Sequence, residues 1–126
     1  MAKILIVEDD PISLDICTNI ISKLGHTPLQ AKSGRDAVEA IRGDLPDAIL
    51  LDVILPDIEG FTLGKNLKGH PRTQNIPIAY VTGRTNTDDF KKGFDSGGML
   101  YLTKPYTPDA LQTALKSLLL MAPPSE

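Results

Sequence analysis

The sequence lacks most of the features that mark a secreted, membrane-bound or nucleic-acid-binding protein. Its single cysteine, Cys17, cannot form an internal disulfide, which favours a reducing compartment. No apolar run approaches the roughly 20 residues of a membrane span. The apolar run before Glu8 is too short for a signal peptide. A net charge of -3 lacks the excess of Lys and Arg that binds phosphate backbones or anionic lipid. These absences predict a soluble cytoplasmic protein that binds neither nucleic acid nor membrane.

What the chain does contain is an alternation of short apolar runs with segments of helical period. A length of 126 residues suits one domain, and the alternation is typical of βαβ units with a parallel sheet. Asp10 before Pro11 and Thr107 before Pro108 each predict a helix N-cap followed by a first-turn proline. We expect five strands and five helices. The apolar residues that define the first helix and the helix before the last strand are Ile12, Ile16, Ile20, Leu24, Phe90 and Phe94.

Four of the apolar runs stop at a side chain that can handle a phosphoryl group. In a parallel sheet the carboxyl ends of the strands meet at one edge, where ligands of open α/β sheets bind. The polar residues at these four ends are therefore expected to converge on one crevice. The runs 4–7, 48–51, 78–81 and 99–103 end at Glu8 with Asp9, Asp52, Thr82 and Lys104 in turn.

The residue types at these ends fit phosphoryl transfer to a carboxylate. Asp52 follows a wholly apolar strand, and a carboxylate forms an acyl phosphate when attack is in line and the phosphoryl charge is neutralised. Glu8, Asp9 and Asp52 would repel one another without a cation, and Mg²⁺ with its oxygen ligands resolves that conflict. Lys104 offers a positive charge and Thr82 a hydroxyl donor. Each residue alone has an ordinary structural explanation, but their joint order predicts a site.

The motifs around these positions are IVEDD at 6–10, LDVILP at 51–56 with Gly60, VTG at 81–83 and YLTKP at 101–105. Together they resemble the receiver domain of bacterial two-component response regulators, including the chemotaxis regulators, over nearly the whole chain. The resemblance implies a flavodoxin-like α/β fold: a doubly wound, five-stranded parallel sheet in the order 2-1-3-4-5 with five helices. The receiver domain is expected to span residues 1–122, with 123–126 as a C-terminal tail or the start of a linker.

The resemblance also implies a role for each residue of the acidic cluster. Asp52 would accept a phosphoryl group from a sensor histidine kinase or a phosphotransfer protein. Glu8 and Asp9 would bind Mg²⁺ together with Asp52 and the backbone carbonyl of Ile54. The protein is then a signalling switch with Mg²⁺-dependent self-phosphorylation rather than an enzyme.

A second group of residues would read out the phosphoryl group. By the same resemblance, Thr82 and Lys104 bind the phosphoryl oxygens, and the Lys104–Pro105 bond is cis. The Tyr101 side chain would follow Thr82 and carry the local charge change to the surface. The surface would then act on a downstream protein partner or on an attached output domain.

The chain departs from the family pattern where many relatives carry acidic residues before the aromatic, since it has Met99 and Leu100 there. In those relatives the acidic residues help to form a charged dimer face made by the fourth helix, the fifth strand and the fifth helix. A salt-bridged dimer through that face is not expected here. We hypothesise instead an apolar docking surface for a partner, an output domain or a second copy in a phosphorylation-dependent dimer. In the alternative, Leu118 and Leu119 belong to the core and the rest are scattered exposed residues. The proposed surface comprises Met99, Leu100, Tyr101, Tyr106 and the last helix.

Two further positions bear on the chemistry. Ile54, two residues after Asp52, cannot orient an attacking water, and Arg84 could pair with the phosphoryl group, so we expect slow autodephosphorylation. The same Ile54 argues against an aspartyl-nucleophile phosphatase, which wants a second acid there. A phosphorylation-independent binding module on the same fold is the other alternative, because a fold does not fix a function.

Overall fold

The computed structural model describes residues 2–83 and 100–121. The described strands join in one parallel sheet in the order β2-β1-β3-β4-β5, which confirms the predicted α/β fold. Four helices lie in the described ranges, and the predicted helix with Phe90 and Phe94 falls outside them. The elements are β1 (Lys3–Val7), α1 (Pro11–Lys23), β2 (Thr27–Ala31), α2 (Gly34–Gly43), β3 (Ala48–Asp52), α3 (Gly60–Lys68), β4 (Ile78–Thr82), β5 (Leu100–Thr103) and α4 (Pro108–Leu120).

Two separate cores cover the two faces of the sheet. The central strands β3 and β4 are buried along their whole length, because successive side chains point to opposite faces and helices pack on both. Residues such as Leu5, Leu51 and Tyr80 pack towards α2 and α3. Ile6 and Leu50 pack with α1 and α4 on the other face. Across the described ranges, no helix has both the length and the apolar character to cross a bilayer.

The predicted helix starts are confirmed in detail. The Asp10 carboxylate accepts a hydrogen bond from the Ser13 amide at the start of α1. The Thr107 hydroxyl accepts one from the Ala110 amide at the start of α4. Each side chain satisfies a first-turn amide that has no partner within the helix, and the following proline has no amide to satisfy. α1 therefore begins directly after the acidic end of β1.

The predicted apolar face of α1 is wrong in its first half. The buried residues of α1 are Leu14, Cys17 and Ile21, whereas Ile12 is 70% and Ile16 is 52% exposed. A row of residues spaced by four drifts around the helix by about 40° per step, because 3.6 residues make one turn. The row that starts at Ile12 therefore begins in solvent and reaches the edge of the core only near the end of the helix.

The residues of the proposed docking surface differ in how deeply they are buried. Leu118 is fully buried, as the core alternative requires, and Leu119 is partly buried against the same core. Leu120 is 86% exposed, and Met121 directly after the helix is also exposed. Leu100, Tyr101 and Tyr106 are half-buried. Met99 lies outside the described residues.

Candidate functional site

Three carboxylates meet at the carboxyl edge of the sheet. Glu8 and Asp9 follow β1, and Asp52 is the last residue of β3. The strands are in parallel register with Val7 opposite Leu51, so both ends reach the same level. One carboxylate oxygen from each of the three residues lies within 4.8 Å of the other two. Glu8 and Asp52 are buried, and Asp9 is exposed to the solvent side of the crevice.

Lys104, which directly follows the edge strand β5, completes this cluster. Its ammonium group donates to Glu8 Oε1 and lies 3.4 Å from Asp52 Oδ2. The Lys104 amide donates to the Thr82 carbonyl at 2.8 Å, which extends the pairing of β4 with β5 up to the crevice. The Lys104–Pro105 peptide bond is cis, as predicted. All the polar strand ends named from the sequence are thus next to the crevice.

The electrostatics of the cluster show an excess of negative charge. Burial, and then the hydrogen bond and charge of Asp52, raise the pKa of Glu8 despite the opposing effect of Lys104. Partial burial would by itself lower the pKa of Lys104, but its contacts with Glu8 and Asp52 outweigh that and raise it. The cluster joins three carboxylates to one ammonium group, so its net charge is negative when all four groups are ionised. The donor set of carboxylate oxygens fits a hard divalent cation such as Mg²⁺.

The loop between β3 and α3 holds the Asp52 side chain in place. The Ile54 amide donates to Asp52 Oδ1 at 3.1 Å, and the Gly60 amide donates to the Val53 carbonyl at 2.7 Å. Gly60 has no room for a side chain, because a Cβ there would lie 2.2 Å from the Asp52 carbonyl oxygen. The glycine thus lets the start of α3 approach the acidic strand end. The Ile54 side chain is 56% exposed beside the crevice.

Thr82 and Tyr101 lie on neighbouring strands next to the cluster. Thr82 is buried at the end of β4, where Asp52 pairs with Val81 in the adjoining register. The Tyr101 ring packs against two other aromatic rings, at centroid distances of 5.9 Å from Tyr80 and 6.2 Å from Phe61. Arg84, the other expected phosphoryl partner, lies outside the described residues.

Sequence reasoning missed two residues that shape this region. In the sequence Tyr80 is only one member of an apolar run, yet its ring contacts both Tyr101 and Phe61. No motif in the sequence marks Asp57, yet its carboxylate accepts hydrogen bonds from the Gly34 and Arg35 amides at the start of α2. An acidic residue after a proline in a loop carries no signal for a partner more than twenty residues earlier.

Comparisons with known proteins agree with this architecture. The family model of the response regulator receiver domain matches residues 4–116. The chain is 34% identical over 119 residues to the protein PilH of Pseudomonas aeruginosa, covering 94% of this chain and 98% of that one. It spans about half the length of several other curated relatives.

Two solved structures are similar in both fold and sequence. A putative response regulator from Chloroflexus aurantiacus superposes with a TM-score of 0.90 at 34% identity, covering 94% of this chain and 98% of that one. The receiver domain of the sensor histidine kinase PA1611 from Pseudomonas aeruginosa has a TM-score of 0.86 at 26% identity, covering 94% of this chain and 97% of that one. That structure is described with a magnesium ion coordinated in its active-site cleft. The chain belongs to the family of response regulator receiver domains, the signalling switches of two-component systems.

Proposed function

We propose that this receiver domain accepts a phosphoryl group on Asp52 with Mg²⁺ and thereby switches its interaction surface. The observation that carries the proposal is the meeting of Glu8, Asp9, Asp52 and Lys104 in one crevice at the sheet edge. The cluster joins an acceptor carboxylate, a potential metal site and a cation for the phosphoryl oxygens. Phosphoryl transfer needs mainly such positioning and charge neutralisation.

Asp52 is the nucleophile in this proposal. An O–P bond forms to one of its carboxylate oxygens while the N–P bond of a phosphohistidine breaks and the donor imidazole leaves. The Ile54 amide and the Lys104 ammonium each contact a different Asp52 oxygen, which fixes the orientation of the carboxylate. Lys104, together with Thr82, then binds the phosphoryl oxygens.

The metal ligands would be Glu8, Asp9, Asp52 and the backbone carbonyl of Ile54. Bound there, Mg²⁺ supplies positive charge to the carboxylates and to the transferred group. Burial, and after it the neighbouring Asp52 carboxylate, raises the pKa of Glu8, and a cation bound at the cluster would offset both effects. The magnesium described in the PA1611 receiver domain supports this assignment independently.

The readout in this proposal uses Thr82 and Tyr101. Movement of Thr82 towards the phosphoryl group changes the space next to Tyr101, whose ring then alters the surface of β5 and α4.

We infer a cytoplasmic receiver domain over residues 1–122 with a tail or linker start at 123–126. Its donor would be a sensor histidine kinase or a phosphotransfer protein, and its target a downstream partner, an attached output domain or a second copy. The exposed, apolar Ile54 supports slow autodephosphorylation.

The test is phosphorylation by a small donor, followed by intact mass. Wild-type protein incubated with acetyl phosphate and Mg²⁺ should gain one phosphoryl group, and chelation of Mg²⁺ should prevent it. Asp52→Asn should gain none, whereas Asp15→Asn, which removes the same charge from the exposed face of α1, should behave as wild type. Decay of the adduct in the same samples gives the autodephosphorylation rate.

Each alternative predicts a different result in this experiment. A phosphorylation-independent binding module would form no adduct and would not bind beryllofluoride, which would refute the proposal. A phosphatase would release phosphate from free esters over many turnovers. An adduct that persists in Asp52→Asn would refute the acceptor assignment alone.

A further inference from the structure

The loop that joins β3 to α3 is attached at its tip to a different element, the start of α2. Asp57 Oδ1 accepts a hydrogen bond from the Gly34 amide at 2.9 Å, and Asp57 Oδ2 accepts one from the Arg35 amide at 3.0 Å. These first-turn amides have no partner within the helix. The helix's own cap, Ser33, accepts from the next amide, that of Asp36, at 3.0 Å. The carboxylate therefore completes the cap of α2 from a distant part of the chain.

A second contact holds the same loop tip against the same helix turn. Gly34 has no side chain and so leaves a slot for Ile58, since a Cβ at position 34 would lie 2.3 Å from Ile58 Cγ2. Ile58 fills this slot and packs against the core on that face of the sheet. Two neighbouring loop residues, one charged and one apolar, thus bind one helix turn. These two contacts fix the position and the orientation of the loop tip relative to the first turn of α2.

The base of the loop is closed by its own backbone. Ile54 and Glu59 form an isolated antiparallel bridge, and Gly60 donates to Val53. Ile54 itself belongs to this closed base, and its amide donates to Asp52 Oδ1. The Ile54 peptide unit therefore joins the acidic end of β3 to a loop whose tip is held by Asp57.

We propose that Asp57 is a positioning residue for the metal site: by binding the start of α2, it holds the Ile54 carbonyl where it can ligate Mg²⁺. The inference rests on the proposed function only for the identity of the ligand set. Residues that orient ligands without touching the metal commonly change its affinity by tenfold or more. The attachment also works in reverse, because coupling between two sites is reciprocal. Mg²⁺ binding should then protect the Gly34 and Arg35 amides.

The test compares Asp57→Ala with Asp36→Ala by isothermal titration calorimetry with Mg²⁺ alone. Both variants remove one carboxylate at the start of α2: Asp36 belongs to the helix itself, whereas Asp57 reaches it from the loop. Asp57→Ala should weaken Mg²⁺ binding by roughly tenfold, and Asp36→Ala by less than about twofold. Asp57→Asn, which keeps one acceptor oxygen, should fall between Asp57→Ala and wild type. Far-UV circular dichroism checks that each variant is folded.

A further readout separates positioning from a purely structural effect. In phosphorylation by acetyl phosphate, Asp57→Ala should need more Mg²⁺ for half-maximal rate yet reach the wild-type rate at saturation. Amide exchange measured by mass spectrometry should slow at Gly34 and Arg35 when Mg²⁺ binds to wild type, and this slowing should be lost in Asp57→Ala.

Equal Mg²⁺ affinity in Asp57→Ala and Asp36→Ala would overturn the inference. So would unchanged amide exchange at α2 on Mg²⁺ binding to wild type. If wild type binds Mg²⁺ but takes no phosphoryl group, the proposed function fails while the calorimetric comparison still decides the role of Asp57. If Asp57→Ala does not fold, the Asp57→Asn titration decides it.

Discussion

Replacement of Asp52 by Asn should have opposite effects on stability without and with Mg²⁺. Asp52 is 8% exposed, lies in a cluster whose carboxylate oxygens are within 4.8 Å of one another, and has the Lys104 ammonium at 3.4 Å. At an effective dielectric constant of 20, repulsion from Glu8 costs at least about 3.5 kcal/mol and attraction to Lys104 contributes about 5 kcal/mol. These terms nearly cancel. The exposed Asp9 adds a weaker, screened repulsion.

The desolvation of the Asp52 carboxylate then decides the sign. Asn occupies nearly the same volume, keeps one oxygen that can accept from either the Ile54 amide or the Lys104 ammonium, and avoids the cost of a buried charge. We therefore expect Asp52→Asn to raise the free energy of unfolding by about 1–2 kcal/mol when Mg²⁺ is chelated. With Mg²⁺ at about 100 times its dissociation constant, the wild type should gain about 2.7 kcal/mol by linkage. The variant lacks one ligand charge and should gain much less, so the order of stability reverses.

Urea unfolding followed by far-UV circular dichroism measures both quantities, since the chain has no tryptophan. Asp15→Asn is the matched control, because Asp15 is exposed on α1 and lies outside the acidic cluster. It should shift little in either buffer. The reasoning is refuted if Asp52→Asn is less stable than wild type in chelator. It is refuted equally if Mg²⁺ stabilises wild type and variant by the same amount.

Two further predictions concern the two cores. Gly64→Ala should lower the free energy of unfolding by about 1–2 kcal/mol despite the better helix propensity of Ala, because the new Cβ would lie 1.9 Å from the Tyr80 hydroxyl. Gly43→Ala, where no atom lies within 4 Å of the added carbon, should be neutral or stabilising, and equal effects of the two changes in urea unfolding would contradict this packing. Burial raises the pKa of Cys17 to about 11, so at pH 8 only about one thiol in a thousand is ionised. An aromatic disulfide reagent should therefore react with Cys17 only as the protein unfolds in urea, and rapid labelling of native protein would show that the thiol is accessible.

The predictions that the structure confirms rest on short-range patterns. The caps at Asp10 and Thr107 follow from one side chain and the amide three residues on, so a local reading was enough. The strand ends at Asp52 and Thr82 follow from apolar runs that a parallel sheet buries on both faces. Their convergence follows from topology, since parallel strands share one carboxyl edge.

The features that sequence reasoning missed depend on how distant elements meet. Nothing near Asp57 indicates that its carboxylate caps α2, and nothing near Gly64 indicates that it makes room for Tyr80. The expected apolar face from Ile12 is wrong because a spacing of four fits a helix but does not say which side of the helix faces the sheet.

The sequence by itself determined the class of fold, the order of the polar strand-end residues along the chain and the edge at which they meet. Those properties follow from periodicity, capping and the geometry of parallel strands, each readable over a few residues. Only the tertiary structure decided that Lys104 contacts both Glu8 and Asp52, and that the loop after Asp52 is held by α2. Both depend on packing between segments far apart in the chain, where side-chain shape and relative rotation, rather than local pattern, select the partner.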